Sequence, residues 1–268
     1  VKNFFELGKA FNNNVSLSGA GDKTTYYLSL NSLNANGVMP GSYDKYNKYG
    51  VRFNGTAQLN NKFSTSVSVN YSKINSDLVQ GGQGPGSVYD NVIQTPRDTP
   101  LDKMGDLSNP YYSMGGLFDA QGNEQYGYYG AYTTSPYFIL QNYRNINDVD
   151  RVTGNFTISY KPLEWLDVTE RLGGDIYSDR RQYKYPKYSV IPIDDAGNYD
   201  PEANLNQSLG KYGLDQYNLT EITHDLMVTG RKQFNPDFSA SLMVGHNVRM
   251  RSFNTLETQT NQANGLVI

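Results

Sequence analysis

The chain contains no cysteine among its 268 residues. Disulfide bonds and cysteine-ligated metal centres therefore cannot hold it together. It also contains no run of about 18 apolar residues, the length that a membrane-spanning helix needs, and its mean hydropathy is −0.62. These absences exclude a disulfide-stapled scaffold and a helical membrane protein. They leave all-β proteins open, because a membrane strand only has to alternate in polarity.

Charged residues are scarce as well. Asp, Glu, Lys and Arg make up 18% of the chain, and the formal net charge is −3. A protein that binds nucleic acid usually carries a basic patch with stacking aromatic residues, and no such cluster is present in the sequence. We therefore expect no nucleic-acid partner.

Motifs that carry catalysis or bind cofactors are also missing. No Ser–His–Asp order or HExxH pattern occurs, and no Lys-Ser/Thr pair follows the glycine-rich residues 81–86 as a phosphate loop requires. The only two histidines, His224 and His246, lie on strands that flank one turn, without an evident third metal ligand. The sequence therefore predicts a protein that is not an enzyme, needs no cofactor and uses these histidines at an interface.

Tyrosine and glycine are abundant, with 23 and 26 copies, and the clearest strand pattern lies in residues 46–71, YNKYGVRFNGTAQLNNKFSTSVSVNY. Apolar or small residues alternate with polar ones over 51–59 and again over 63–71, and Asn-Asn-Lys separates the two arms. This period of 2 predicts a β-hairpin with one apolar and one polar face. Each arm has the length of a tilted strand that crosses a bilayer, about 9–11 residues.

The same alternation recurs along the chain and predicts about eight strands. Short connections fall at residues 20–23, 60–62, 161–165 and 234–237, and long ones at 35–44, about 77–145 and about 181–215. Tight turns at one end and long loops at the other are typical of bacterial outer-membrane barrels. We therefore predict an all-β fold, an antiparallel transmembrane β-barrel segment with short periplasmic turns and long extracellular loops. Its apolar side chains face lipid and its polar side chains face the lumen.

Candidate ligand-binding residues come from the loops and from the polar face. Tyrosine can stack on a sugar ring while its hydroxyl forms a hydrogen bond; the alternative is that these tyrosines pack the long loop against itself or against a partner lipoprotein. Arginines on the polar face could line a solute path, or they could form salt bridges with Asp167 and Asp175. The loop candidates are Tyr111, Tyr112, Tyr126, Tyr128, Tyr129, Tyr132 and Tyr137, and the candidates facing the lumen are Arg52, Arg151, Arg171 and Arg249.

Two loop segments combine acidic residues with Gly-Asn, DAQGN at 119–123 and DDAGNYD at 194–200. Glycine and asparagine supply the positive φ of a hairpin tip, and calcium binding by the oxygens of the second segment is the alternative. Its spacing is not that of an EF-hand loop. We therefore interpret both segments as turns and predict no metal site.

Residues 11–39, FNNNVSLSGAGDKTTYYLSLNSLNANGVM, carry a family resemblance. The matching pieces are Asn13-Asn14, Ser16-Leu17-Ser18-Gly19, Asp22-Lys23, Tyr26-Tyr27, Gly37, and Tyr46, Arg52 and Asn54 in the next strand. This pattern resembles the early barrel of the SusC/RagA-type TonB-dependent transporters. The strong match covers residues 11–75, and the rest of the chain agrees in its general pattern rather than in specific motifs.

The resemblance implies an outer-membrane transporter of a Bacteroidetes-like bacterium. Such a protein would import glycans or peptides with TonB and a SusD-like surface lipoprotein. Plugged transporters have about 22 strands, so residues 1–268 would be a partial barrel without the plug domain and the remaining strands. Two other classes stay open: a self-contained small outer-membrane barrel that acts as an adhesin or structural protein, and a secreted carbohydrate-binding β-sandwich.

Overall fold

A computed structural model describes residues 3–83, 86–95, 97, 99–108, 117–118, 124–125, 135–188 and 208–260. The strands are β1 (Lys9–Ala20), β2 (Thr24–Asn36), β3 (Lys45–Gln58), β4 (Phe63–Asp77), β5 (Leu117–Phe118), β6 (Glu124–Gln125), β7 (Arg144–Leu163), β8 (Leu166–Tyr188), β9 (Ser208–Asn235) and β10 (Phe238–Gln259). Two α-helices, α1 (Val88–Gln94) and α2 (Pro136–Asn142), and two short 3-10 turns, Pro40–Ser42 and Leu101–Lys103, lie between them.

Eight strands form one antiparallel sheet in the order β1-β2-β3-β4-β7-β8-β9-β10. Neighbours in the sheet are thus neighbours along the chain, and β5 pairs only with β6. The predicted eight-stranded antiparallel fold is confirmed. Strands β1 and β10 form the two edges and do not pair with each other, so the sheet is not closed.

Within the described ranges, no helix combines the length and the apolar character needed to cross a membrane.

The register separates the side chains into an apolar and a polar face, because residues directly opposite in neighbouring strands point to the same side. One apolar row contains Val15, Leu30, Val51, Tyr71, Val152 and Ile176. The adjacent row on the opposite face contains Ser16, Ser29, Arg52, Asn70, Thr153, Asp175 and Glu221. The alternation predicted from one hairpin therefore extends across the sheet.

The apolar face ends at a defined level near the long connections, which we call the upper end of the sheet. On β4 it extends from Phe63 to Tyr71, and the next residue on that face is Lys73. Lys73 forms ion pairs with Asp148 and Asp150 of β7, and the Tyr71 hydroxyl donates to Asp150 at 2.6 Å. The apolar band thus ends in a row of charged and hydrogen-bonded groups, at the end of the sheet that carries the long connections.

The opposite end of the sheet carries tight turns and aromatic side chains. In the turn after β3, the Asn60 side-chain oxygen accepts from the backbone N–H groups of Lys62 at 2.8 Å and Phe63 at 3.0 Å, as is typical of asparagine in turns. The rings of Phe63 and Tyr160 stack with centroids 4.3 Å apart. The predicted asymmetry between tight turns and long connections is present.

Strand length differs across the sheet. Strands β1 to β4 have 12, 13, 14 and 15 residues, whereas β7 to β10 have 20, 23, 28 and 22. Strands β8 and β9 therefore occupy both ends of the segment 181–215 that the sequence predicts as a loop. Their upper parts are polar and tyrosine-rich, but the ladder continues there, with Tyr183 opposite Gly213.

The long connection between β4 and β7 contains folded structure that the sequence prediction omits. Ser87 and Ser135 accept hydrogen bonds from the first turns of α1 and α2, and Pro136 occupies the first helical position, where proline is favoured. Both helices pack in one hydrophobic cluster, which we call the loop core: Phe4, Val88, Val92, Leu101, Met104, Ile139 and Leu140.

Candidate functional site

The four arginines predicted to face the lumen all lie on the polar face. They occupy four consecutive rows of that face, in the order Arg151 of β7, Arg52 of β3, Arg249 of β10 and Arg171 of β8. The same rows also carry hydroxyl and amide side chains, such as Ser68 and Asn54, which share a hydrogen bond of 2.7 Å. The register thus places the four positive charges on one hydrophilic surface.

Two of these arginines are held by carboxylates. Arg151 donates to both oxygens of Asp175, from Nε at 2.9 Å and from Nη2 at 2.6 Å, in the bidentate geometry that fixes a guanidinium plane. Arg249 donates to Glu221 at 2.6 Å. Within the described residues Arg52 and Arg171 form no ion pair, so these two guanidinium groups can hydrogen-bond to a solute.

A cleft of about 730 Å³ opens on the polar face beside Gly50. Its polar lining includes Asn14, Asn31, Arg151 and Tyr177. Gly50 keeps the cleft open, because a Cβ there would lie 2.6 Å from the side-chain amide atoms of Asn31. Amide, guanidinium and phenol groups can donate to hydroxyl and carbonyl oxygens, so the cleft suits a polar solute.

The floor of this cleft is fixed by hydrogen bonds. Asn14 donates to the Ser29 hydroxyl at 3.3 Å, and the Tyr177 hydroxyl donates to Asp179 at 2.6 Å. Asp179 is buried and also accepts from Arg181 at 2.8 Å. Sequence reasoning did not select Asn14, Asn31 or Tyr177 as site residues. Their even spacing from Ser16, Ser29 and Asp175 on the polar face was the signal that could have found them.

Of the seven candidate loop tyrosines, only Tyr137 belongs to the described residues. Its ring packs edge-on against Phe4, with centroids 5.1 Å apart. Burial raises the pKa of its hydroxyl, and the negative charges of Asp102 and Glu6 add to the effect. Tyr137 thus contributes to the loop core. The other six candidates, Tyr111, Tyr112, Tyr126, Tyr128, Tyr129 and Tyr132, and the acidic segments 119–123 and 194–200 lie outside the described residues.

Arg144 connects the loop core to the sheet. Its guanidinium donates to the backbone carbonyls of Leu140 at 2.9 Å, Gln141 at 2.9 Å and Tyr143 at 2.8 Å, which satisfies the open end of α2. The same group lies 3.5 Å from the Asp77 carboxylate at the top of β4. Burial raises the pKa of Asp77, and Arg144 opposes that rise.

A polar pair, His224 and Glu170, lies among the apolar side chains of β8 and β9. His224 Nε2 lies 3.1 Å from Glu170 Oε1 on the neighbouring strand, and His246 lies on the same face in β10. The described parts of the chain contain no group of three or more His, Cys, Asp or Glu side chains that could hold a metal ion.

The chain was compared with known proteins in sequence and in fold. No protein-family model matches the chain. A stretch of 97 residues is 37% identical to a TonB-dependent receptor of Formosa agariphila, which corresponds to 35% of this chain and 9% of the receptor. Among solved structures, the RagAB peptide importer in its closed-closed and open-open states matches with a TM-score of 0.66 at 17% and 18% identity. These matches cover 99% of this chain and 28% of the RagAB chain.

The sequence match and the shared fold confirm the predicted resemblance. The chain resembles a SusC/RagA-type segment of a TonB-dependent outer-membrane β-barrel, and it spans less than a third of the proteins it matches. Its apolar band is the surface that faces lipid, since a membrane barrel presents its apolar side chains outward.

Proposed function

We propose that the chain forms part of the wall of an outer-membrane transporter that imports oligosaccharides or peptides. In this proposal residues 1–268 contribute eight strands to a larger barrel, and the plug domain and the remaining strands belong to other parts of the protein. A SusD-like surface lipoprotein captures the solute, and TonB supplies energy through those other parts. The role of this segment is binding and guidance, without a catalytic step.

The separation of the two faces is the observation that carries the proposal. Eight strands in one register present an apolar band to lipid and hydroxyl, amide and arginine side chains to the opposite side. A polar face of this kind lines a water-filled passage in membrane barrels. The cleft beside Gly50 and the two arginines that form no ion pair with any described residue, Arg52 and Arg171, give that face groups that bind sugar hydroxyls or peptide carboxylates and carbonyls.

The two alternative functions fit the fold less well. A self-contained barrel must pair its first and last strands, because lipid offers no hydrogen bonds to an open edge, and β1 and β10 are not paired. A β-sandwich needs a second sheet against the apolar face, and the only other sheet in the described residues is the two-stranded β5-β6. We therefore retain solute import as the proposal.

Substitution Gly50→Leu tests the solute path. The added side chain meets Asn31 and fills the cleft from its polar side. We expect uptake of the transported oligosaccharide or peptide by cells carrying the complete transporter to fall about tenfold, a loss of about 1.4 kcal/mol in the interaction that guides the solute. Surface abundance of the protein is measured in parallel, so that uptake is expressed per transporter.

Gly174→Leu is the matched control. Gly174 lies on the apolar face opposite Ile222, and a Cβ there meets no atom within 4 Å. Leucine at this position faces lipid, and uptake should stay at the wild-type level. Equal uptake by the two variants would contradict a solute path along the polar face.

A further inference from the structure

A second cleft opens on the apolar face, at the end of the sheet with the tight turns. It has a volume of about 670 Å³, within the range of roughly 300–1,000 Å³ that small-molecule sites occupy. Trp165, Phe234 and Leu242 form its apolar walls. These side chains are 54%, 57% and 72% exposed, so the walls present a large apolar surface to whatever occupies the cleft.

Gly230 shapes the floor of this cleft. It pairs with Leu242 of β10 and lies beside Trp165, whose ring atoms are 3.9 Å from the position that a Cβ of residue 230 would take. Because Gly230 has no side chain, the floor of the cleft between the indole ring and Leu242 is backbone, and we call this strip the channel. An extended hydrocarbon chain can lie in that channel and contact apolar groups on both sides.

Lys232 places a positive charge at the end of the channel, and Arg231 also lines the cleft. Lys232 points to the same face, and its Nζ lies 5.4 Å from the centre of the Phe234 ring. The neighbouring Arg231 is on the other face and lies 3.5 Å from Asp167. Among the described residues Lys232 has no carboxylate partner, so its ammonium group can bind an anion.

We propose that this cleft binds one phospholipid with an anionic headgroup in the periplasmic leaflet. The acyl chain lies over Gly230 between Trp165 and Leu242, and the headgroup phosphate contacts Lys232. Charge complementarity and position support this occupant. Tryptophan and lysine at a membrane boundary place their apolar parts in hydrocarbon and their polar ends at the headgroups, and a basic side chain near an anionic lipid surface is attracted to it by about 1 kcal/mol.

The indole of Trp165, the chain's one tryptophan, allows a direct test. The protein that contains this chain is reconstituted in phosphatidylcholine vesicles doped with brominated phosphatidylglycerol or brominated phosphatidylcholine, since bromine quenches indole fluorescence on contact. The Trp165 signal is the difference between the protein and its Trp165→Phe counterpart. We expect the brominated anionic lipid to quench this signal at about fivefold lower concentration, the factor for one basic side chain near an anionic lipid.

Three variants distinguish a specific lipid-binding site from non-specific lipid that surrounds the whole protein. Lys232→Gln should abolish the preference for the anionic lipid, and Gly230→Leu should weaken quenching by both lipids because leucine fills the channel. Lys211→Gln is the matched control, since Lys211 also lies near an aromatic ring, Tyr183 at 5.7 Å, but at the end with the long connections. It should leave the preference unchanged.

The opposite results overturn the site. Equal quenching by the two lipids, or an equal loss in the Lys211→Gln and Lys232→Gln proteins, would reduce the effect to bulk attraction between lipid and protein. Unchanged quenching in the Gly230→Leu protein would show that no acyl chain lies over Gly230. None of these outcomes bears on solute uptake, which the Gly50 and Gly174 variants test separately.

Discussion

Lysine in place of Val67 is expected to destabilise the sheet by about 2–4 kcal/mol, the cost of a basic side chain facing lipid at the middle of a membrane strand. Val67 lies halfway between Phe63 and Tyr71 in the apolar band, with Gly55 and Phe156 on the neighbouring strands. The neighbouring residues on that face of β3 and β7 are apolar or glycine, so they offer the ammonium group no polar partner. Guanidinium titration of the reconstituted protein measures the change.

Ser66→Lys is the control for this prediction. Ser66 directly precedes Val67 and lies on the opposite, polar face of the sheet. Its neighbours there are Thr56 and Thr157, and a lysine at this position stays in water. We expect a change within about 0.5 kcal/mol, as for an ordinary exposed position. If Ser66→Lys cost more than Val67→Lys, the apolar face would point to a protein interior, and the assignment of lipid and polar faces would be wrong.

Arg144→Met is expected to loosen the loop core from the sheet by about 2–3 kcal/mol. Methionine keeps much of the apolar stem, but it loses the hydrogen bonds to the last carbonyls of α2 and the contact with Asp77. Hydrogen bonds from a charged donor contribute about 1.5–3 kcal/mol. Hydrogen exchange of the Ile139 and Tyr143 amides, which bond to Ser135 and Ile139, measures the opening of α2 directly.

The effect of Arg144→Met should depend on pH. The pKa of Asp77 is already raised by burial, and Arg144 is the largest influence that lowers it, so its loss raises that pKa further. A carboxyl group with a raised pKa in the folded state binds its proton more tightly there than in the unfolded state. The variant therefore regains stability as the pH falls through that raised pKa, and its deficit is largest at neutral pH.

Lys103→Met is the control for this second prediction. Lys103 lies between the loop-core residues Leu101 and Met104, but its side chain is exposed. Exchange of the α2 amides should match the wild-type protein at every pH. Equal protection in the Arg144→Met and wild-type proteins would show that apolar packing alone holds α2 in place.

The sheet could be predicted from the sequence because the residue pattern that specifies each strand and turn lies within a short stretch of the chain. In each strand of the 46–71 hairpin, the alternation of apolar and polar residues predicts which side chains share a face. The turn at Asn60 fixes which residues of the two strands pair. The upper parts of β8 and β9 could not be predicted in this way. They lie above the apolar band, where neither face has to be apolar, so residues such as Tyr183 and Lys184 alternate without a hydrophobic pattern.

The loop core was not predicted because its contacts are distant in sequence. Phe4 packs against residues of α1 and α2 that lie more than eighty positions away, and no period in a single segment encodes that contact. Local signals did exist at the helix starts, Ser87 before Val88 and Ser135 before Pro136, which are typical of helix N-termini. The density of tyrosine between them favoured a loop interpretation instead.

The unequal strand lengths determine how the end of the sheet with the long connections, here called its rim, deforms. On the side of β8 to β10, the rim consists of paired strands, and bending it outward requires many ladder hydrogen bonds to break together. On the side of β1 to β4 the strands stop earlier, and the loop core there is attached through apolar contacts and a few hydrogen bonds, including those of Arg144. Local opening costs least where few backbone hydrogen bonds tie a segment down. The short-strand side is therefore the compliant part of the rim, and the long-strand side is its fixed frame.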